Sequence, residues 1–223
     1  MEKIALLTAN LSGIDGNLIE LIPQQELPLN SVLDIFSYND KNFLPRINAL
    51  HPRLQSKIPK MLGFEYHPGY DYYIWLDGSI QIHSSETISW LVSCCGGNDI
   101  ALFRHPFRNS IRDELNYMVK LMQEGNSYLL NRYTNEPMIE QVEMYESDSE
   151  FRDDCLYALG AFVYNKSIIN KGILNNWFYH NARYSIQDQL SFPYLLFKHQ
   201  IKSSIIEKNI FQNPYFSVVG HKT

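Results

Sequence analysis

Residues 70–82 read Y-D-Y-Y-I-W-L-D-G-S-I-Q-I. Aromatic and branched side chains fill positions 70–76, the make-up of a strand in the middle of a sheet, and the run stops at Asp77-Gly78. A carboxylate placed straight after such a strand is costly unless it meets water, a donor or a cation, so Asp77 belongs at a rim. Gly78 beside it lets a ligand come close to the backbone. Asp-Gly is also a common hairpin dipeptide, and on spacing alone a plain turn is an equal alternative.

Working outward, residues 3–9 and 31–37 read as strands before this one, and residues 80–82 as a short continuation after it. Residues 45–62 read as helical stretches broken by Pro52 and Pro59. Residues 84–95 form a helix ending before Gly96-Gly97, and residues 99–103 a buried strand leading into Arg104-His105. The clearest helix spans 111–124. Ile111, Leu115, Met118, Val119 and Met122 fall on one face, Ser110 with Asp113 resembles a capping box, and Gly125 supplies the stop.

The acidic stretch 143–154 reads as a solvated loop. Residues 155–164 then look like a strand interrupted at Gly160-Ala161, followed by helices over 168–180 and 186–197 and late strands over 201–206 and 215–219. With no repeat or low-complexity linker, one α/β domain is expected, with a mostly parallel central sheet flanked by helices. In such sheets ligands sit beyond the carboxyl ends of the strands. The tips to inspect are Thr8-Ala9-Asn10, Asn39-Asp40, Asp77-Gly78-Ser79, Arg104-His105 and Gly220-His221-Lys222.

Composition narrows the ligand. Hydrophobic residues make up 45% of the 223 and charged residues 19%, enough for a filled core without staples. A formal charge of −5 argues against a nucleic-acid groove, which needs a basic stripe, while a small phosphate-bearing ligand needs only a few local cations. The apolar run at the start is too short for a membrane span or a signal segment. The three cysteines, two of them adjacent, form no evident disulfide framework, so a cytoplasmic location is expected.

The stretch at 70–82 resembles the strand and D-x-D-type element of GT-A glycosyltransferases. It is most similar to a glycosyltransferase-like family of bacteria, plants and large DNA viruses, which includes plant mucilage-related hexosyltransferases and a chlorella-virus sugar transferase domain. Three further segments agree in order: P-R-L-Q-S-K-I-P-K at 52–60, A-L-F-R-H-P-F-R-N-S-I-R-D-E at 101–114 and R-Y-S-I-Q-D-Q-L-S-F at 183–192. The resemblance spans most of the chain and implies a single GT-A, Rossmann-like domain. It also implies transfer of a sugar from a nucleotide-diphosphate donor, a UDP-sugar favoured, to a carbohydrate or other hydroxyl acceptor.

Residue by residue, Asp77 matches the first acid of a motif that holds Mn²⁺ or Mg²⁺ against the donor diphosphate, and Ser79 stands where the second acid would be. A hydroxyl is a poorer ligand than a carboxylate, so either the ion is held loosely or basic residues do much of the work. His221 resembles the chain-end histidine that some GT-A enzymes add as a ligand, and Lys222 the basic group that meets the diphosphate. A chain end is also simply the place where residues fray.

Thr8, Ala9 and Asn10 fall where GT-A folds meet the nucleotide, and Lys57 and Lys60 could reach phosphate or ribose. Gly78 would let the donor approach. Arg104 and His105 form a local basic group suited to phosphate or sugar. Arg112 could belong to it or pair within its helix, and Glu114 falls off the apolar face and reads as solvated. Asp188 is the catalytic candidate, kept ionised at a helix start and flanked by Gln187, although Ser185 and Asp188 could instead be a capping box. Gly160 would let sugar approach the backbone. A nucleotidyltransferase would show a Gly-rich signature with a basic pair, which L-S-G-I-D-G at 11–16 lacks. A non-catalytic carbohydrate-binding module stays open through Ser79.

Overall fold

The computed structural model describes residues 1–11, 22–43 and 52–219. The stretch that opens the sequence reading forms β3 (Tyr72–Leu76), and it lies inside a six-stranded sheet. The other strands are β1 (Glu2–Asn10), β2 (Ser31–Asn39), β5 (Ile100–Arg104), β6 (Tyr157–Asn165) and β7 (Ser203–Ile206), in the order β2-β1-β3-β6-β5-β7. All run in one direction except β6, which is antiparallel to both β3 and β5. The sheet is therefore mostly parallel, as expected.

Alternation sorts its side chains to two buried faces. Ala5, Leu7, Tyr73, Trp75, Phe162 and Tyr164 face one core, and Ile4, Leu6, Ile74, Leu76, Ala161 and Val163 the other. The first core is covered by α1 (Pro52–Tyr66), α6 (Ile173–Arg183) and α7 (Asp188–Lys198). The second is covered by α2 (Thr87–Cys95) and by a separate antiparallel pair, β4 (Ile80–Ile82) with β8 (Phe216–Val218). The late strand at 215–219 thus joins β4 rather than the main sheet. A third cluster joins α3 (Ile111–Gln123), α4 (Ser127–Tyr133) and α5 (Met138–Glu146) to α7.

Several expectations need correction. Pro59 does not break α1, which runs through it. An interior proline costs a helix about 3 kcal/mol, and here Leu54, Ile58, Met61 and Phe64 bury a continuous face that offsets it. The acidic stretch is not one solvated loop. Its first part is the end of α5, because Met138, Val142 and Tyr145 recur at helical spacing and are buried. Further on, the Asp153 carboxylate accepts the backbone N–H of Ile111 and of Arg112 at 2.7 and 2.9 Å, capping α3 from outside. The helix expected over 168–180 divides at Gly172, whose φ of +71° ends a 3₁₀ turn (Lys166–Lys171) before α6.

The reading of α3 stands. Ser110 Oγ accepts the backbone N–H of Asp113 at 3.0 Å. Arg112 reaches Glu146 rather than a partner in its own helix. Glu114 is buried, not solvated, held by Arg108 and by Gln187 Nε2 at 2.9 Å.

Candidate functional site

A cavity of about 670 Å³ opens where the carboxyl ends of β1 and β3 meet the start of α1 and α7. Asp77 lines it. The ladder carries one step past β3, since the Asp77 N–H donates to the Gly160 carbonyl at 2.8 Å. The β5–β6 register jumps here, from Leu102↔Phe162 to Phe103↔Ala158, so Gly160 lies in a bulge facing the Asp77 side chain. A Cβ on Gly160 would fall 3.2 Å from Asp77 Oδ2. The Asp77 side chain is 42% exposed, and its Oδ1 accepts the Trp75 indole N–H at 2.6 Å.

Beside it lies a buried charge cluster. Lys57 and Lys60 project from one side of α1 and each donates to Asp188 Oδ2 at 2.7 Å. Lys60 Nζ is also 3.7 Å from Asp77 Oδ1 and sits 5.9 Å from the ring centres of Trp75 and Trp177. Burial alone would raise the Asp188 pKa, but the two ammonium groups override it and hold the carboxyl far below its usual range. Burial pushes Lys57 down despite Asp188, whereas for Lys60 the two carboxylates outweigh burial and the pKa rises. The Ser185–Asp188 capping box, the alternative that the sequence offers, is not formed. Gln187 is the N-cap of α7, while Ser185 Oγ donates to Glu136 at 2.9 Å.

Arg53 and Arg132 also line the cavity, the latter stacked 4.3 Å over the Tyr128 ring. Among the described residues four cationic side chains therefore face two carboxylates, Asp77 and Asp188, a local net charge of +2 in a chain whose net charge is −5. Neither arginine was reached by reading the sequence. Arg53, Lys57 and Lys60 fall at i, i+4 and i+7, one helical stripe that a break at Pro59 would divide. Tyr128 and Arg132 are likewise one turn apart on α4.

His105 lines the cavity too, and it is neutral. Burial, then the neighbouring Arg108 charge, lower its pKa to about 4. Its Nδ1 accepts the N–H groups of Phe107 and Arg108 at 3.3 and 3.1 Å, bonds that need an unprotonated nitrogen. A depressed value means the unfolded chain binds the proton first. The stability due to His105 is therefore full above about pH 6.5 and is lost as pH falls toward 4. Melting curves over that range should show His105→Gln losing less of its melting temperature than the wild type.

The sequence candidates divide. Ala9, Lys57, Lys60, Asp77, Gly78, Ser79, His105, Gly160 and Asp188 all line the cavity. Thr8 is buried next to it, with no hydrogen-bond partner for its hydroxyl, and Asn10 pairs in register with Asn39 at the strand ends without lining the cavity. Arg104 is exposed and points away, because alternation along β5 sends it and the cavity-lining His105 to opposite sides. Gln187 turns inward to Glu114, Gln189 and the Tyr133 hydroxyl, and Gln189 takes its place on the wall. His221 and Lys222 lie outside the described residues. Among the described residues no helix is long and apolar enough to cross a membrane.

The TOD1/MUCI70 glycosyltransferase-like domain matches residues 47–222. No curated protein matches the chain. Among solved structures, the apo form of the bifunctional glycosyltransferase WbbM is similar with a TM-score of 0.51 and 10% identity, over 92% of this chain and 39% of that one. This chain thus spans about two fifths of WbbM, and the likeness is one of fold. A glycosyltransferase involved in glycosylation of the major capsid of PBCV-1 aligns with a TM-score of 0.44 and 8% identity, over 91% of this chain and 81% of that one. A197 from STIV aligns at 0.38 and 11%, over 92% and 82%.

Proposed function

The chain belongs to the TOD1/MUCI70 glycosyltransferase-like family, and from that premise we propose that the cavity beside Asp77 receives a nucleotide-diphosphate sugar, a UDP-sugar favoured, and passes its sugar to a hydroxyl of a carbohydrate acceptor. The observation that carries this reading is the net charge of +2 that the described residues gather around Asp77 in an acidic chain. A diphosphate concentrates negative charge and gains more as the glycosidic bond breaks. Cations already fixed where that charge grows stabilise the departing group without having to reorganise. Lys57 and Lys60 are such cations, held in place by Asp188.

The nucleoside end is assigned to Ala9 and Leu11, where β1 delivers small and apolar groups to the wall, with Thr8 and Asn10 flanking. Asp188 takes the sugar-facing catalytic role. Ionised throughout the working range, it orients a hydroxyl and holds the lysines, since so weak a base accepts protons poorly.

The residues present fit a loosely held cation. The half-exposed Asp77 carboxylate faces the space over Gly160 that a side chain would fill, and Ser79 adds a hydroxyl. The Val219 N–H donates to the Ser79 carbonyl at 2.8 Å, which brings the chain to Ser79 two residues before His221 in sequence. Among the described residues no three His, Cys, Asp or Glu side chains gather, so water and the donor's own phosphates would complete an oxygen-rich shell. Mn²⁺ or Mg²⁺ held by Asp77, Ser79 and His221 would supply charge neutralisation at the diphosphate.

The test is thermal shift with UDP, GDP and their sugars, with and without Mn²⁺. Stabilisation by a nucleotide diphosphate, together with slow hydrolysis of one donor, is the expected result. No shift with any nucleotide would remove the reading. A second prediction follows from the bulge. Gly160→Ala places a methyl 3.2 Å from Asp77 Oδ2, so donor KM should rise about tenfold while the melting temperature moves little.

A further inference from the structure

Beyond β5 and β7 the cavity rim carries an aromatic surface that the donor groups leave unused. Phe107 is 72% exposed and Phe211 44% exposed, yet they stack on each other with centroids 5.9 Å apart and planes 24° from parallel. Phe211 lines the cavity, and so does His105, whose ring meets the Phe107 edge at 6.1 Å. These are not rings on fraying loops. The Phe211 N–H donates to Asn209 Oδ1 at 2.8 Å, its carbonyl accepts from Val218 at 2.9 Å, and the Phe107 N–H donates to His105 Nδ1. Two large apolar rings held against water by their own backbones mark a surface built for a ligand.

Strand order says which part of the reaction they serve. Across the rim come β1 with Ala9, β3 leading to Asp77, β6 with Gly160, and β5 leading to His105 and Phe107, against which Phe211 stacks from its place beside β8. Three steps of ~4.8 Å separate β1 from β5 by about 14 Å. The nucleoside end is at β1 and the diphosphate cations are near β3. A group resting on the Phe107–Phe211 pair, at the β5 end of the rim, therefore meets the donor sugar from the side away from the nucleoside. That is the acceptor's position. A pyranose offers one flat C–H face with hydroxyls around its edge, which suits exposed aromatic rings next to a polar cavity.

We propose that the stacked Phe107–Phe211 pair is the acceptor platform, binding a pyranose ring of a glycan by its C–H face. It rests on the nucleotide-sugar reading of the cavity. The test is saturation-transfer NMR on the full chain with methyl pyranosides of glucose, galactose, mannose and xylose, and separately with UDP. Wild type is compared with F107A/F211A and F107Y/F211Y, folding being checked by melting temperature. The platform predicts that at least one pyranoside binds wild type and the tyrosine variant. The alanine variant should bind it about tenfold more weakly, with UDP binding equal in all three.

Equal pyranoside binding in the alanine variant, or none in wild type, overturns the proposal. Loss of UDP binding in the alanine variant also overturns it, moving the rings to the nucleotide side. If UDP binds none of the three while pyranoside binding follows the rings, the donor reading fails and the sugar surface stands.

Discussion

Asp77→Asn is expected to lower sugar transfer by roughly 10²–10³-fold, the scale for removing one preorganised electrostatic partner, while leaving the fold intact. Asparagine keeps an oxygen that can accept the Trp75 indole N–H, so the local bond survives. The negative charge does not survive. Lys60, 3.7 Å away, loses one of its two carboxylates, and any cation held against the diphosphate would lose the Asp77 carboxylate. Because the Asp77 side chain is 42% exposed, the stability cost of the weakened contact should stay within about 1 kcal/mol. A donor-hydrolysis assay beside a melting curve separates the effects. Unchanged activity would remove Asp77 from the chemistry, and a large fall in melting temperature would make it a structural residue.

Asp188→Ala should act in the opposite order, on stability first. Lys60 is buried and Lys57 partly so, and they share a single carboxylate oxygen. Removing it breaks the buried Lys60–Asp188 pair and leaves Lys60 facing a second, partly buried ammonium, a change that typically costs about 3–5 kcal/mol. For a chain of this size that corresponds to a fall in melting temperature of roughly 6–20 °C. Adding Lys57→Met to Asp188→Ala removes one stranded charge and should recover part of the loss, which a mere cavity would not allow.

The same pair predicts a pH dependence. The folded Asp188 value is depressed, so its contribution is present above the unfolded value of about 3.9 and is lost as pH falls below it. The gap in melting temperature between wild type and Asp188→Ala should therefore be constant above about pH 5 and shrink below pH 4. A gap that does not change in acid would mean the carboxylate is not what holds the lysines.

These two residues also show how far the sequence could be read. Asp77 was legible because its signal is local: an apolar strand, then a carboxylate, then a glycine. The α3 helix and the interruption at Gly160 were legible for the same reason, each being written within a dozen residues. The partners of Asp188 were not, since Lys57 lies 131 positions away and Lys60 128. A contact made by folding α1 against α7 leaves no pattern in either segment. The capping box at Ser185 offered a local explanation that the structure replaces with a distant one.

Glu114 failed similarly. It lies off the apolar stripe of α3, yet α7 covers it and supplies Gln187 as a partner. The cationic stripe of Arg53, Lys57 and Lys60 was in the sequence but hidden by the ordinary rule that proline ends a helix. Tertiary packing overrode that rule in α1, and with it went the clearest sequence sign of an anion site.

The most direct test is a crystal soaked with Mn²⁺ and UDP and read by anomalous scattering. The account predicts a diphosphate against Lys57 and Lys60, with an anomalous peak bonded to the Asp77 carboxylate. A nucleotide found elsewhere on the surface, or a cavity that stays without one at saturating UDP, would contradict it.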